Sequence, residues 1–261
     1  MRLTLLGTGT SFGVPQIGCT CRVCTSTDPR DKRMRTAALV ESGGARILID
    51  TPPELRLGLL AARIGAVNAV LFTHDHADHT HGIDDLRALS GGPRGTLPIY
   101  GPADTLDRMR AKFDYIFDPN VPPIPSSARP SVTATALEAG CSARIAGLDV
   151  LPIAFEHGHS LVFGYRFGKL AYVTDVQRVG EDAVKALAGV EVLILNALFY
   201  RSHPTHLSVP EAVTAARAIG AKRTFLTHLT HETAHADLER DLPPEVRPAY
   251  DGLVVEVGGE G

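Results

Sequence analysis

Four side chains that commonly bind metal ions lie within six residues: His74, His76, Asp78 and His79. The apolar run 69–72 precedes them, as in a short buried strand that ends at a polar turn. Imidazole and carboxylate ligands together suit zinc, manganese or iron. The spacing predicts that the first two histidines bind one ion, and that the aspartate and the third histidine bind a second ion beside it. A solvated polar turn is the alternative, but surface composition seldom supplies four ligands directly after a buried strand.

A second group of potential ligands contains three thiols within six residues: Cys19, Cys21 and Cys24. Thiolate-rich sites select zinc and usually stabilise structure. A fourth ligand must come from elsewhere in the chain, and His231 is the best candidate. Three buried or redox-active cysteines are the alternative, because C-x-C-x-x-C is less diagnostic than paired C-x-x-C motifs. The remaining cysteine, Cys141, matches no motif and is expected to pack in the interior.

Two aspartates are predicted to end buried strands. Asp50 closes the strand that follows the turn at residues 42–44. It could orient a ligating histidine there, or serve as an acid near the N-terminus of a helix. Asp175 follows the apolar run 170–173. That is the position of an active-site acid in a layered α/β protein.

The segment His74-Asp75-His76-Ala77-Asp78-His79 resembles the H-x-H-x-D-H signature of the metallo-β-lactamase superfamily. Residues Leu6-Gly7-Thr8-Gly9-Thr10-Ser11 resemble the start of the branch that holds tRNA 3′-processing RNase Z and the PhnP-like phosphodiesterases, which are carbon–phosphorus lyase accessory proteins. The glycines are expected to allow a tight turn and a close approach of the backbone. The resemblance implies a four-layer α/β/β/α (αββα) sandwich. The alternation of short strands and helices is compatible with it, and we expect a single domain over residues 1–261.

The resemblance also implies a complete set of ligands for two neighbouring metal ions. The first ion would take His74, His76 and His157, the second would take Asp78, His79 and His228, and Asp175 would bridge them. His159 is the alternative to His157. The resemblance further supports a structural zinc on the three clustered cysteines and His231.

The resemblance assigns catalytic roles to His206 and Asp78, with His203 as the alternative to His206. His206 adjoins the start of a predicted helix, in the place of the family's catalytic histidine. One residue departs from the family pattern. Asn196 ends a strand where relatives commonly show an aspartate. The departure leaves the ligands in place but puts the tuning of the site and the details of the substrate in question.

The resemblance implies hydrolysis of small cyclic or nucleotide-like phosphodiesters, such as the ribosyl 1,2-cyclic phosphate of phosphonate breakdown. Two divalent ions, zinc or manganese, would share a hydroxide that attacks phosphorus in line, while His206 protonates the leaving alkoxide or holds a phosphoryl oxygen. RNase Z-like cleavage of tRNA is a second hypothesis, but it needs a basic arm, and the sequence has no long insert rich in lysine and arginine. A non-catalytic metal-binding regulatory protein is a third, disfavoured because every ligand position is filled.

Composition limits the partners and the location. The formal charge is −3 and the isoelectric point is about 6.4, so tight binding to extended nucleic acid is not expected. There is no apolar run of membrane-spanning length and no signal-peptide pattern, so we expect a cytoplasmic protein without a membrane partner. Residues 113–127 are rich in proline and large apolar residues. They are expected to form a surface loop or lid that walls the pocket or contributes a contact in a homodimer.

Two helices are predicted near these sites. Residues 54–64 have apolar residues at helical spacing, and the predicted inner face carries Leu55, Leu59 and Leu60. A helix over Val209–Ile219 should begin after Ser208, with Glu211 completing a capping box. His235 is expected to face solvent.

Overall fold

Two β-sheets face each other in the computed structural model, which describes residues 1–122 and 127–258. Within these residues the first sheet contains seven strands: β1 (Arg2–Gly7), β2 (Ala37–Ser42), β3 (Ala45–Ile49), β4 (Ala69–Leu71), β5 (Leu97–Gly101), β6 (Val132–Ala136) and β14 (Val254–Glu256). The second sheet also contains seven: β7 (Ala143–Ile145), β8 (Leu148–His157), β9 (Ser160–Phe167), β10 (Leu170–Val173), β11 (Val192–Asn196), β12 (Arg223–Thr227) and β13 (Val246–Pro248). The strand orders are β14-β1-β2-β3-β4-β5-β6 and β13-β12-β11-β10-β9-β8-β7.

Each sheet has an antiparallel half and a parallel half. Strands β3 to β6 run parallel in the first sheet, and β10 to β13 run parallel in the second. Strand β8 runs in the same direction as β10, because β9 lies antiparallel between them. The carboxyl ends of parallel strands meet at one edge of a sheet, which is where α/β folds place their ligands.

Helices cover the outer face of each sheet. They are α1 (Leu55–Ala61), α2 (Ala77–Thr80), α3 (Ala103–Lys112), α4 (Asp114–Phe117), α5 (Glu181–Leu187), α6 (Val209–Ile219) and α7 (His235–Asp241), with 3₁₀ turns at Pro29–Asp31, Ile83–Ala88 and Gly92–Arg94. Helices α1 and α3 pack on the first sheet, while α5, α6 and α7 pack on the second. Helix α6 has the predicted capping box between Ser208 and Glu211.

Alternating side chains divide the interior into three apolar layers. On β1, Leu3 and Leu5 face the second sheet, whereas Leu6 packs under α1. The layer between the sheets also holds Tyr165 and Tyr172, both fully buried. Period-two burial of this kind lets one strand contact a sheet on one face and a helix on the other. The four-layer αββα sandwich predicted from the sequence is confirmed.

The glycines at the end of β1 and in the loop after it allow the close backbone approach that was predicted. A Cβ atom at Gly7 would lie 2.0 Å from the backbone oxygen of Arg35, and one at Gly9 would lie 2.8 Å from that of Arg33. The same loop pairs with Leu229, which donates its N–H to the Thr8 carbonyl at 2.9 Å. The loop therefore packs against the segment that follows β12.

Three smaller predictions were wrong. Leu60 is 61% exposed, because α1 ends at Ala61 and turns only Leu55, Gly58 and Leu59 inward. Cys141 is exposed in the turn before β7. His235 is buried at the start of α7, where its ring lies 5.6 Å from the Tyr250 ring and its backbone N–H donates to Asp31.

The segment 113–127 is described only in part. Helix α4 occupies its start, and Arg129 donates to the backbone oxygens of Tyr115 and Val121. Residues 123–126 lie outside the described residues, so the predicted lid stays a prediction. In the part of the chain that is described, no helix combines the length and the apolar character needed to cross a bilayer.

Candidate metal centre

All seven predicted ligands of the two-ion site converge where strands of both sheets end. His74 and His76 follow β4, His157 is the last residue of β8, Asp175 follows β10 and His228 follows β12. Asp78 and His79 lie on α2. Ligand atoms lie within 4.8 Å of one another in each of three groups: His74 with His76 and His157, Asp78 with His79 and His228, and His74 with His79 and Asp175. His159 is exposed and lies outside these groups, so the geometry favours His157.

The ring nitrogens in this cluster fit a bound cation. Within the described residues, the buried Nε2 atom of His74 has no hydrogen-bond partner, while the Nε2 atoms of His79 and His228 face the carboxylate of Asp175. An unpaired buried polar atom costs about 1–3 kcal/mol, which coordination would offset. The carboxylate of Asp175 presents Oδ2 at 2.8 Å from His79 Nε2 and Oδ1 at 2.9 Å from His228 Nε2. One carboxylate thus faces a nitrogen on each side, as a bridging ligand would.

The carboxylates of the cluster also favour positive charge in the site. Burial opposes protonation of His228, but Asp175 and Asp78 outweigh it and raise its pKa to about 9. The pKa of His79 is likewise raised well above its usual value, because Asp175, Asp78 and Asp50 outweigh the effect of burial. Metal ions that bind here would take the place of these protons.

Asp50 orients a predicted ligand instead of capping a helix. Its Oδ2 lies 2.7 Å from Nδ1 of His79 and accepts from the Thr73 hydroxyl, while its Oδ1 accepts from the Thr73 N–H. Since Asp50 accepts the Nδ1 proton, Nε2 of His79 is left with its lone pair directed into the site. Helix α1 starts after Glu54 and makes no use of Asp50. Of the two roles that the sequence left open for Asp50, the structure favours the orientation of a ligating histidine.

Three non-glycine residues of the site have a left-handed backbone. The φ angles are 62° at Asp50, 57° at Asp175 and 58° at His228. This region is uncommon for residues with a Cβ and costs energy that the surroundings must supply. The strain lies at the strand ends that aim these side chains into the site.

Asn196 fixes the backbone next to Asp175. It is fully buried, its Oδ1 accepts the Val176 N–H at 2.9 Å, and its Nδ2 donates to the Val176 carbonyl at 3.2 Å. An amide can both donate and accept, whereas an ionised carboxylate could only accept. The departure from the family pattern therefore leaves the strained turn at Asp175 held by two hydrogen bonds.

We expect Asn196→Leu to lower stability and metal content together. It leaves the buried N–H of Val176 unpaired, at about 1–3 kcal/mol, whereas the Val176 carbonyl still accepts from the Leu207 N–H at 3.0 Å. Thermal unfolding of metal-free protein and metal analysis check this, with Asn68→Leu as the control, because Asn68 is exposed and also accepts a single backbone N–H. Asn196→Asp keeps the acceptor and should retain more metal than Asn196→Leu. Unchanged metal content in Asn196→Leu would show that Val176 is held by other contacts.

His206 lies at the edge of the cluster. Its Nε2 is 2.8 Å from Asp175 Oδ1, its Nδ1 is 2.8 Å from the Thr205 hydroxyl, and its ring stacks on His228 at 5.0 Å. Burial lowers the pKa of His206 to about 4 despite the hydrogen bond to Asp175, so the imidazole is neutral at pH 7. With Asp175 and His228 it forms a further group that could hold an ion. His203, the alternative, contacts Thr205 and lies 5.4 Å from the His206 ring.

The predicted cysteine site is assembled from two distant parts of the chain. The Nδ1 atom of His231 lies 3.3, 3.4 and 3.5 Å from the sulfurs of Cys19, Cys21 and Cys24. A tetrahedral zinc with Zn–S of about 2.3 Å and Zn–N of about 2.0 Å places neighbouring ligand atoms about 3.5 Å apart. A hydrogen bond from the Cys24 N–H lowers the pKa of Cys21 to about 6, which favours the thiolate that binds metal. These residues fit a zinc ion.

We expect metal analysis of the purified protein to approach three ions per chain, two in the histidine cluster and one in the cysteine site. Cys21→Ser should lose one ion and stability but keep the other two. A ligand present at 100 times its Kd stabilises by about 2.7 kcal/mol, or roughly 5–11 °C in Tm for a chain of this size. The exposed Cys141 supplies the control Cys141→Ser. At most two ions, with none lost in Cys21→Ser, would contradict this prediction.

An open cavity of about 660 Å³ leads to the histidine cluster. Five predicted ligands of the two-ion site line it: His76, Asp78, His157, Asp175 and His228. Several residues of its wall were not predicted from the sequence, among them Phe12 and Arg201, which belong to no motif. Phe12 is 69% exposed at the rim, and Arg201 lies 3.8 Å over the Phe199 ring while pairing with Glu232. The cavity has room for a small organic molecule.

Comparison with known proteins identifies the family. Residues 45–229 match the family described as "Beta-lactamase superfamily domain". The chain belongs to the metallo-β-lactamase superfamily. The crystal structure of a diphosphatase from the PhnP family is 35% identical, covers 98% of both chains and superposes with a TM-score of 0.91. Human tRNase Z, short form, shares the fold at 20% identity and a TM-score of 0.70, over 99% of this chain and 100% of the other.

A curated relative is longer than this chain. Octanoyltransferase of Porphyromonas gingivalis is 37% identical over 267 aligned residues, which cover 100% of this chain and 52% of the relative. The chain therefore spans about half the length of that protein. The resemblance to the branch that contains PhnP-like proteins and RNase Z, first noted from the glycine loop, agrees with these similarities.

Proposed function

We propose that the protein is a metal-dependent phosphodiesterase that hydrolyses small cyclic or nucleotide-like phosphodiesters. The observation that carries the proposal is the pair of adjacent ligand groups, joined by Asp175, at the base of a 660 Å³ cavity. The 35% identity to a PhnP-family diphosphatase supports a substrate with a phosphoryl group.

Two divalent ions, zinc or manganese, would hold water at a lowered pKa and neutralise charge that develops on a phosphoryl oxygen. The residues of the chain supply the framework. His74, His76 and His157 would hold one ion, and Asp78, His79 and His228 the other. Asp175 between them keeps the two groups in register, and Asp50 fixes the ring of His79.

His206 would act on the substrate from one side of the cavity. Burial keeps its imidazole neutral at pH 7, with a single N–H. If Asp175 binds the ions, the N–H on Nε2 that faces Asp175 in this structure would be free to donate a hydrogen bond to a phosphoryl oxygen. The alternative role, protonation of the leaving alkoxide, would require the bound anionic substrate to raise this pKa. A hydrogen-bond donor is the role that we favour for His206.

The charge of the chain favours a small substrate over RNA. A formal charge of −3 offers no general attraction to a polyanion, and the cavity matches the size of a small-molecule site. RNase Z-like cleavage stays a second candidate because of the shared fold. The similarity to an octanoyltransferase adds an acyl compound as a third candidate to be tested.

A substrate panel tests the proposal. Purified protein reconstituted with zinc or with manganese is assayed against a ribosyl cyclic phosphate, bis-p-nitrophenyl phosphate, precursor tRNA and an octanoyl thioester. We expect turnover of the cyclic and the linear small diesters that stops when the metal is removed. Preferential cleavage of precursor tRNA or of the thioester would overturn the proposed substrate class.

A further inference from the structure

Asp75 occupies the middle of the first metal-binding turn but faces away from the site. The side chains of His74 and His76 on either side of it join the group with His157. The Asp75 carboxylate instead pairs with helix α3, where Oδ2 lies 2.6 Å from Lys112 Nζ and Oδ1 lies 3.2 Å from Arg108 Nη1. Asp75 is only 8% exposed.

Lys112 holds this turn at two points. Its ammonium group donates to the backbone carbonyl of Asp75 at 2.5 Å as well as to the carboxylate. One cation therefore restrains both the main chain and the side chain of the residue between the two histidines. From the other side, the Thr80 hydroxyl donates to the His76 carbonyl at 2.8 Å.

The three histidine rings of the first predicted metal site are not held alike. His157 donates from Nδ1 to the Thr205 carbonyl at 3.0 Å, and Nδ1 of His74 lies 2.9 Å from the Thr73 hydroxyl. His76 is the exposed member of the first site, and its ring has no hydrogen bond to the described residues. The direction of this ring depends on the backbone of the turn, which Lys112 restrains.

We infer that Lys112 is a positioning residue for the ion bound by His74, His76 and His157, acting through Asp75 and not through contact with the ion or the substrate. The inference rests on the proposed two-ion centre. Partners that orient metal ligands typically change metal affinity by about 10- to 100-fold when they are removed. Partly exposed ion pairs, in contrast, contribute little to global stability. The side chain of Lys112 is 38% exposed, so the effects on affinity and on stability can be separated.

The experiment measures the binding of Zn²⁺ to Lys112→Met by competition with a chromophoric chelator, using protein whose cysteine site stays filled. We expect one of the two remaining ions to bind roughly 10-fold more weakly, while the affinity for the other changes less than about 2-fold. Lys112→Arg, which keeps the charge and the donors, should recover most of the loss. The matched control is Arg110→Met, because Arg110 lies on the same helix and pairs only with the exposed Asp107.

A second background identifies the ion. In His157→Ala the first site lacks one of its three histidines, so adding Lys112→Met should cause no further change for the ion that remains. Thermal unfolding is measured with the histidine cluster empty and the cysteine site filled. Under these conditions the Tm of Lys112→Met should match that of Arg110→Met within a few degrees. A purely structural role would instead lower this Tm and weaken both ions alike.

Several results would overturn the inference: unchanged Zn²⁺ affinity in Lys112→Met, an equal loss for both ions, or the same loss in Arg110→Met. None of these readouts needs substrate. Wild-type protein that binds both ions but fails to hydrolyse diesters would overturn the proposed function alone. Wild-type protein that binds no ion at the histidine cluster would overturn both.

Discussion

Asp175→Ala is expected to lose metal from both histidine sites and nearly all turnover of a phosphodiester. The side chain is buried and lies within 2.9 Å of nitrogens on His79, His206 and His228. Burial raises the pKa of Asp175, but His228 and His79 outweigh this effect and hold it well below its usual value, so the carboxylate is ionised. Loss of a partner that only orients a ligand already costs about 10- to 100-fold. Loss of the shared ligand should therefore cost more than about 100-fold.

The measurement is metal content and kcat/KM on the same preparation. Asp182→Ala is the control, because that carboxylate is almost fully exposed and pairs only with Lys185. The control should keep both ions and the rate of the wild type. If Asp175→Ala kept both ions and a near-normal rate, the bridging ligand would have to be another residue.

His206→Ala is expected to lower turnover by about 10²- to 10³-fold, the effect typical of removing one hydrogen-bond donor from a charged transition state. The low pKa of His206 predicts that this loss will be similar for a sugar-like diester and for a p-nitrophenyl diester, because both present the same phosphoryl oxygens. Metal content should stay unchanged. The assay is kcat for both substrates across a range of pH.

Other outcomes assign other roles to this histidine. A loss confined to the sugar-like diester would mean that His206 protonates the poor leaving group, since p-nitrophenolate departs largely unaided. A loss of metal would make it a ligand, as its position beside Asp175 and His228 allows. An effect seen only in His203→Ala would move the catalytic role to that residue.

The residues predicted as ligands from the contiguous motif lie together because of simple chain geometry. A short buried strand places His74, His76, Asp78 and His79 on one turn, so local spacing was sufficient. Asp175 and His228 could also be predicted, because each follows a strand and strands of one direction end at the same edge, whereas His157 was predicted from the family resemblance. Choosing His157 over His159 needed the family pattern, and the pairing of β8 with β9 now supplies the physical reason.

Features that depend on contacts between distant segments could not be predicted. His235 looked like a surface residue, but it is buried, with its ring near Tyr250 and its backbone N–H donating to Asp31, which is 204 residues away. The pairing of Asp75 with Lys112 joins a turn to a helix 37 residues later, and nothing in either segment indicates the partner. Asn196 was visible as a departure from a pattern, but its effect depends on how β11 pairs beside β10.

The cysteine site illustrates both situations. Three thiols at close spacing predicted a shared ion, whereas His231 came from a segment more than 200 residues away. That segment also carries His228, so a stretch of four residues contributes to the histidine cluster and to the cysteine site. His231 and Gln16 line the same cavity as the histidine cluster, which places the cysteine site in its wall.

The central claim is that diester hydrolysis depends on two ions in the histidine cluster. The most direct test strips the protein of these ions and adds zinc or manganese stepwise, with the rate of hydrolysis of a cyclic phosphodiester and the number of bound ions measured on each sample. We predict little activity with the histidine cluster empty and full activity only when both of its sites are filled. Full activity in stripped protein, or no diester hydrolysis at full occupancy with either metal, would contradict the account.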